Sequence, residues 1–276
     1  CGSDIRDYYG KILPEEIYPM PAGLPCHELA GEIIESHTNA FKEGQRSIVI
    51  PTRGTGGLKE YIVAEPHCMV LLPDYGLLDE WVMCQPSGTV LYACQQMGSV
   101  LGKNVLILGQ GSIGLCFTMM IAAMGAKTII ATDLLNYRLT KAKEFGATHT
   151  INPGVDDISA VVPSITGAPG PDIVVEAAGN VETFNMCFRL VRQFGSVIIF
   201  GLQSDQYVPI EHRWLLEKQP TIIPISSARS GDPISAIKEM VNLRHRNWCD
   251  PARLITHHMN FTQVQEAYDM FEQQTD

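Results

Sequence analysis

Between residues 105 and 226 short unbroken Val/Ile/Leu runs alternate with helix-like segments, and this alternation narrows the fold more than any other feature. The runs are VLILG (105–109), TIIATD (128–133), HTIN (149–152), DIVVEA (172–177), SVIIFG (196–201) and TIIPIS (221–226). Helical segments are read at about 112–124, 135–145, 181–194 and 210–218. A strand with one wet face alternates apolar and polar residues, whereas a continuous apolar run belongs to a parallel strand covered on both faces. Six such strands joined by crossover helices predict an α/β fold with a doubly wound parallel sheet. The chain before it reads differently. Residues 1–86 are rich in turn signals, with β-like runs at GEIIES, RSIVIP and EYIVAE, and predict a β-rich first domain. A helix is expected at 84–97, the sheet domain over 87–226, and a C-terminal segment, 227–276, with helices at about 233–246 and 261–273.

The net charge of −10 argues against nucleic acid or an anionic membrane surface as the main partner. Eight cysteines without a CxxC pair read as free thiols of a reducing compartment. No apolar run reaches the roughly 18 residues that a membrane-spanning helix needs, so a soluble, cytoplasmic protein is expected.

The first run of the sheet leads into a glycine turn. Gly109, Gly111 and Gly114 form G-x-G-x-x-G at the junction of strand and helix. Gly109 permits the sharp turn, Gly111 lets a pyrophosphate approach the backbone, and Gly114 lets helix and strand pack closely. The N–H groups of the helix start, including those of Ser112 and Ile113, offer positive partial charge to phosphate. Asp133 ends the second run, where a carboxylate can accept hydrogen bonds from both ribose hydroxyls and repel a 2′-phosphate. Together these predict a Rossmann-type site with NAD favoured over NADP. Asp133 could instead merely cap the next helix. Arg138 could reach the ribose edge, screen Asp133 or accommodate a phosphate.

Metal-ligand chemistry collects near the N-terminus, in Cys1-Gly2-Ser3-Asp4 and Cys26-His27-Glu28. Spacing alone leaves His27 open between ligand and structural histidine. The order of motifs is more specific: C-G-S-D, H-E-x-x-G, G-G-x-x-E-Y (Gly56 to Tyr61), then the glycine turn. This order resembles the zinc-type medium-chain dehydrogenases, above all their sorbitol and threonine dehydrogenase branch. The resemblance implies a GroES-like catalytic domain completed by the C-terminal helices, with an active site in the cleft between the two domains. It implies Cys1, His27 and Glu28 as ligands of one catalytic zinc, Ser3 as proton relay, and Asp4 as the carboxylate orienting His27. Thr89 matches the lining of the nicotinamide pocket, and Arg229 falls near the cleft. It further implies a small alcohol or polyol substrate and a homodimer or homotetramer.

Several positions depart from the family pattern. Gln85-Pro86 stands where the branch has Glu-Pro, Arg6 replaces a relay histidine, and Cys26 replaces the usual glycine before His-Glu. Cys26 is thus an added soft ligand or a core thiol. His27 and Glu28 are adjacent, so both can face one ion only where the backbone is irregular. No four-cysteine loop is present, so no structural zinc is expected, and the chain reads as trimmed at both ends. Two other readings stay open: a zinc-free NADPH-dependent reductase, and a dinucleotide-binding module without catalysis.

Overall fold

The computed structural model of the chain describes residues 2–8, 14–51, 56–203, 207–226 and 230–274. It divides into two compact units, Cys1–Gly88 with Ile234–Asp276, and Thr89–Pro233.

The first unit is built on an antiparallel sheet, β1 (Leu29–Glu32), β2 (Arg46–Val49) and β3 (Met69–Leu71), in the order β1-β2-β3. Leu29 pairs with Val49, and Ser47 with Leu71. Two of the β-like runs therefore meet the sheet, while EYIVAE does not. Its Tyr61 and Val63 are 71% and 99% exposed, and the third strand forms from Met69–Leu71, where Val70 is buried. An exposed β-branched run gains nothing from pairing that it does not make, so local propensity is overridden. Short helices α1 (Gly2–Tyr8) and α2 (Leu78–Val82) belong to the same unit. The first turn of helix α3 (Cys84–Met97), with Gln85 and Pro86, belongs to it as well.

Buried Trp81 joins this unit to its C-terminal part. The Arg244 guanidinium lies 4.1 Å from the centre of the Trp81 ring, donates to Glu80 (2.9 Å) and to Asp250 (2.8 Å), and the indole N–H donates to Tyr75 O (2.6 Å). A desolvated cation over an aromatic face with two carboxylate partners is a strong local clamp.

The second unit is the six-stranded parallel sheet. Its strands are β4 (Asn104–Leu108), β5 (Thr128–Thr132), β6 (His149–Ile151), β7 (Ile173–Glu176), β8 (Ser196–Ile199) and β9 (Thr221–Pro224). The order β6-β5-β4-β7-β8-β9 is doubly wound, with its topological switch between β4 and β7. The intervening helices are α4 (Ser112–Ala123), α5 (Asn136–Glu144), α6 (Ile158–Thr166), α7 (Val181–Leu190) and α8 (His212–Lys218). Leu106, Leu108, Ile130, Val174 and Val197 fill one core with Val162 and Phe188. After it come α9 (Pro233–His245) and α10 (Val264–Gln273). No helix among the described residues is long and apolar enough to cross a membrane.

Burial governs the cysteines. It pushes the Cys84 and Cys249 thiols up to about 12, and Cys187 well above the ordinary thiol range. Thiolate is the reacting form, so these three stay unlabelled by a disulfide reagent at mildly alkaline pH and react once guanidinium unfolds the chain. Rapid native labelling of any of them contradicts this packing.

Candidate active site

The glycine turn forms as its residue types demand. Gly109 has φ +93°, a region that an L side chain rarely enters, and a Cβ there would lie 3.0 Å from Ala178. At Gly114 a Cβ would fall 1.9 Å from the Gly109 carbonyl oxygen, so strand and helix touch through backbone alone. Around Gly111 no atom lies within 4 Å of where a Cβ would be. That open space adjoins the start of α4, which no side chain caps and whose first N–H groups lack helical acceptors. This is a cradle for an anion. Ser112 is exposed and Ile113 half-buried at the same end.

Asp133 turns toward the cradle. Its Oδ2 accepts the Gln110 N–H at 2.7 Å, and its Oδ1 accepts the Leu135 N–H at 2.9 Å. The carboxylate thus supports both the glycine turn and the entry to α5. Arg138 Nη1 lies 3.9 Å from Oδ2 and screens part of its charge. Sequence reasoning missed the brace beneath. Gln110 is fully buried, its amide donates to Gly109 O (3.0 Å), and its Oε1 accepts the Thr118 hydroxyl at 2.8 Å. A polar residue inside G-x-G, eight positions before a threonine on the buried face of α4, was the available signal.

In the first unit, Asp4 meets His27: the Asp4 carboxylate lies 3.3 Å from His27 Nδ1 and accepts the Cys26 N–H at 3.3 Å. Burial raises the Asp4 pKa, its bonds to the imidazole and to the Cys26 N–H lower it, and it lies below the usual carboxylate value. The same bond raises the His27 pKa more than burial lowers it. With Nδ1 engaged, Nε2 is the nitrogen left for another partner. Cys26 has φ +75°, the conformation that glycine takes most easily, and His27 and Glu28 precede β1 rather than alternate within it. The backbone there has the irregularity that adjacent ligands require. Cys26 is half-buried, with Sγ directed at Glu28 O (3.5 Å), and burial raises its pKa. Gln85 is 5% exposed, and its Oε1 has no hydrogen-bond partner among the described residues. Arg6 pairs with Asp7 at 3.3 Å. Ser3 and Thr89 are half-buried on α1 and α3. Cys1 and Arg229 lie outside the described residues. Among the described residues no three His, Cys, Asp or Glu side chains are grouped to hold a metal. The donor types nevertheless fit zinc: an imidazole oriented through its other nitrogen, an adjacent carboxylate, and a buried amide oxygen lacking a partner.

Two family models match the chain: an alcohol dehydrogenase GroES-like domain over residues 1–74 and a zinc-binding dehydrogenase domain over 112–244. The chain belongs to the zinc-type medium-chain dehydrogenase family. This zinc-type medium-chain dehydrogenase falls in the sorbitol dehydrogenase-like branch, and its activity is that of an oxidoreductase. It is 28% identical to sorbitol dehydrogenase of Bacillus subtilis (strain 168), over 98% of this chain and 82% of the relative. Its fold matches 2R,3R-butanediol dehydrogenase from Bacillus subtilis with a TM-score of 0.83 at 23% identity, covering 99% of this chain and 86% of the other. It also matches an Escherichia coli CFT073 alcohol dehydrogenase complexed with NADH, with a TM-score of 0.85 at 21% identity, covering 99% and 85%. The doubly wound sheet and GroES-like domain expected from the sequence are thus the fold of this dehydrogenase.

Proposed function

We propose that this chain oxidises a secondary alcohol or polyol reversibly, with NAD as hydride acceptor and one catalytic zinc. The observation that carries the reading is the Asp133 carboxylate turned onto the glycine turn, with Oδ2 on the Gln110 N–H. There it can accept ribose hydroxyls beside a pyrophosphate seated over α4, and its charge disfavours a 2′-phosphate. The sorbitol dehydrogenase likeness supports the polyol class.

Cys1, His27 and Glu28 are assigned as the zinc ligands, with Gln85 Oε1 a further neutral oxygen donor. When bound, zinc supplies Lewis acidity toward a substrate hydroxyl, and the dinucleotide supplies the hydride acceptor. Asp4 fixes the tautomer and orientation of His27 through Nδ1. Ser3 holds the position from which a hydroxyl proton can be relayed toward solvent, and Thr89 is assigned to the nicotinamide pocket. The active assembly is read as a homodimer or homotetramer and its compartment as the cytoplasm.

The test purifies the protein without chelator, quantifies metal, and measures initial rates with NAD and NADP over a panel of polyols and secondary alcohols. Zinc near one per chain and faster turnover with NAD are expected. A metal-free protein that prefers NADPH and reduces activated double bonds overturns the reading. Within the same assay, Asp133→Asn lowers kcat/KM for NAD about 10- to 100-fold, the worth of one or two charge-assisted hydrogen bonds, and raises the NADP-to-NAD ratio. An unchanged ratio removes Asp133 from coenzyme selection.

A further inference from the structure

Glu176 ends β7 at the topological switch and is fully buried, although the sheet needs no charge there. Its Oε1 accepts three hydrogen bonds: from Ala178 N–H (3.0 Å), Gly179 N–H (2.8 Å) and the Thr183 hydroxyl (2.7 Å). Its backbone carbonyl accepts the N–H groups of Phe200 and Gly201, which open the loop after β8. Its Oε2 is buried with no hydrogen-bond partner among the described residues and faces Gly201, where a Cβ would lie 2.2 Å away.

The carboxylate therefore fastens two loops, those after β7 and β8, and meets the glycine turn only through Ala178. Ala178, held by Oε1, is the residue that lies against Gly109 of the glycine turn. Gly179, also held by Oε1, lies against Leu202, since a Cβ on it would meet Leu202 O at 2.8 Å. The loops after β7 and β8 are thus packed around a single side chain, whose carboxylate is held by the Ala178 and Gly179 N–H groups and the Thr183 hydroxyl. In a doubly wound sheet the strands on one side of the switch hold one half of a dinucleotide, and those on the other side hold the second half. The glycine turn and Asp133, on β4 and β5, belong to the adenosine half. The loops that Glu176 fastens belong to the other.

We propose that Glu176 is a positioning residue for the nicotinamide half of the dinucleotide, acting through the loops at 177–180 and 200–202, with Thr183 as its polar partner. This rests on the dinucleotide reading above. Nothing about it requires Glu176 to touch the ligand.

The experiment measures dissociation constants of NADH and of ADP for the wild type and for Glu176→Ala, Glu176→Gln and Thr183→Val, each checked for a cooperative thermal transition. ADP reports the adenosine half alone. Glu176→Ala is expected to weaken NADH at least about tenfold while ADP stays within about twofold. Glu176→Gln, which keeps one acceptor oxygen, restores part of the loss, and Thr183→Val gives a smaller loss confined to NADH. Where Glu176→Ala does not fold, the other two variants carry the test. The proposal is overturned where the folded variants bind NADH as the wild type does, or where NADH and ADP weaken together. A wild type that binds neither NADH, NADPH nor ADP overturns the dinucleotide reading, and this assignment with it, before any variant is compared.

Discussion

Replacing His27 with alanine is expected to strip the zinc and lower kcat/KM about 1000-fold, equivalent to about 4 kcal/mol of transition-state stabilisation. The imidazole is held from behind: Asp4 takes Nδ1 at 3.3 Å and also accepts the Cys26 N–H, so the carboxylate fixes both the ring and the backbone that precedes it. On the proposed ligand set, removing the ring leaves Cys1, Glu28 and the neutral Gln85 oxygen, a weaker set than tight binding at neutral pH needs. Asp4→Asn should be milder, about 10- to 100-fold in zinc affinity, since it loosens the ring without deleting the donor. A cooperative thermal transition, checked alongside metal content and kcat/KM, distinguishes this from simple unfolding. A His27→Ala protein that keeps one zinc and wild-type turnover rules out the ligand assignment, and a fall in turnover without metal loss moves His27 from ligand to substrate contact.

The sheet was legible because each of its strands is a continuous branched-aliphatic run ending in a turn signal; the six strands begin within a residue of their expected starts. Helix α6 was not. Its sequence ISAVVPSIT holds Pro163 and three β-branched residues in its first five, all poor helix formers. It forms because Asp157 caps the Ser159 N–H and because Val162 and Ile158 are buried against the sheet, so packing outweighs propensity. EYIVAE erred the other way, with strong β propensity and no strand partner among the described residues. In the candidate site, the glycine turn and Asp133 came from local spacing, since strand, turn and acid are set by one βαβ unit. The Asp4–His27 pair came only from family resemblance, because 23 residues separate the two and spacing cannot foretell the contact. Glu176 was passed over because an acid that ends a strand ordinarily faces water, and only the fold shows that this one turns inward onto Ala178, Gly179 and Thr183.

Gly114→Ala is expected to reduce dinucleotide-dependent turnover about 100-fold, the effect of displacing bound reactants by about 1 Å. The added methyl would sit 1.9 Å from Gly109 O and 2.8 Å from Gly109 C, both backbone atoms, so no rotamer change can relieve the clash. Either α4 moves off β4 or the turn at Gly109 reopens. The first displaces the helix N-terminus over which the pyrophosphate is proposed to sit. The second breaks the contact with Ala178 and the Gln110 brace, whose amide donates to the same Gly109 oxygen. Overpacking of this kind also costs about 1–3 kcal/mol of stability, so a lower melting temperature accompanies the loss. The two effects separate in one titration. NADH raises the melting temperature of the wild type through binding linkage, and that increment shrinks in Gly114→Ala more than the baseline shift alone accounts for. Gly111→Ala is the matched control: its methyl projects into open space, so the apo protein keeps its stability while the increment falls, because the methyl now occupies the pyrophosphate's approach. Equal NADH-induced shifts in the wild type and both variants would place the pyrophosphate somewhere other than this turn.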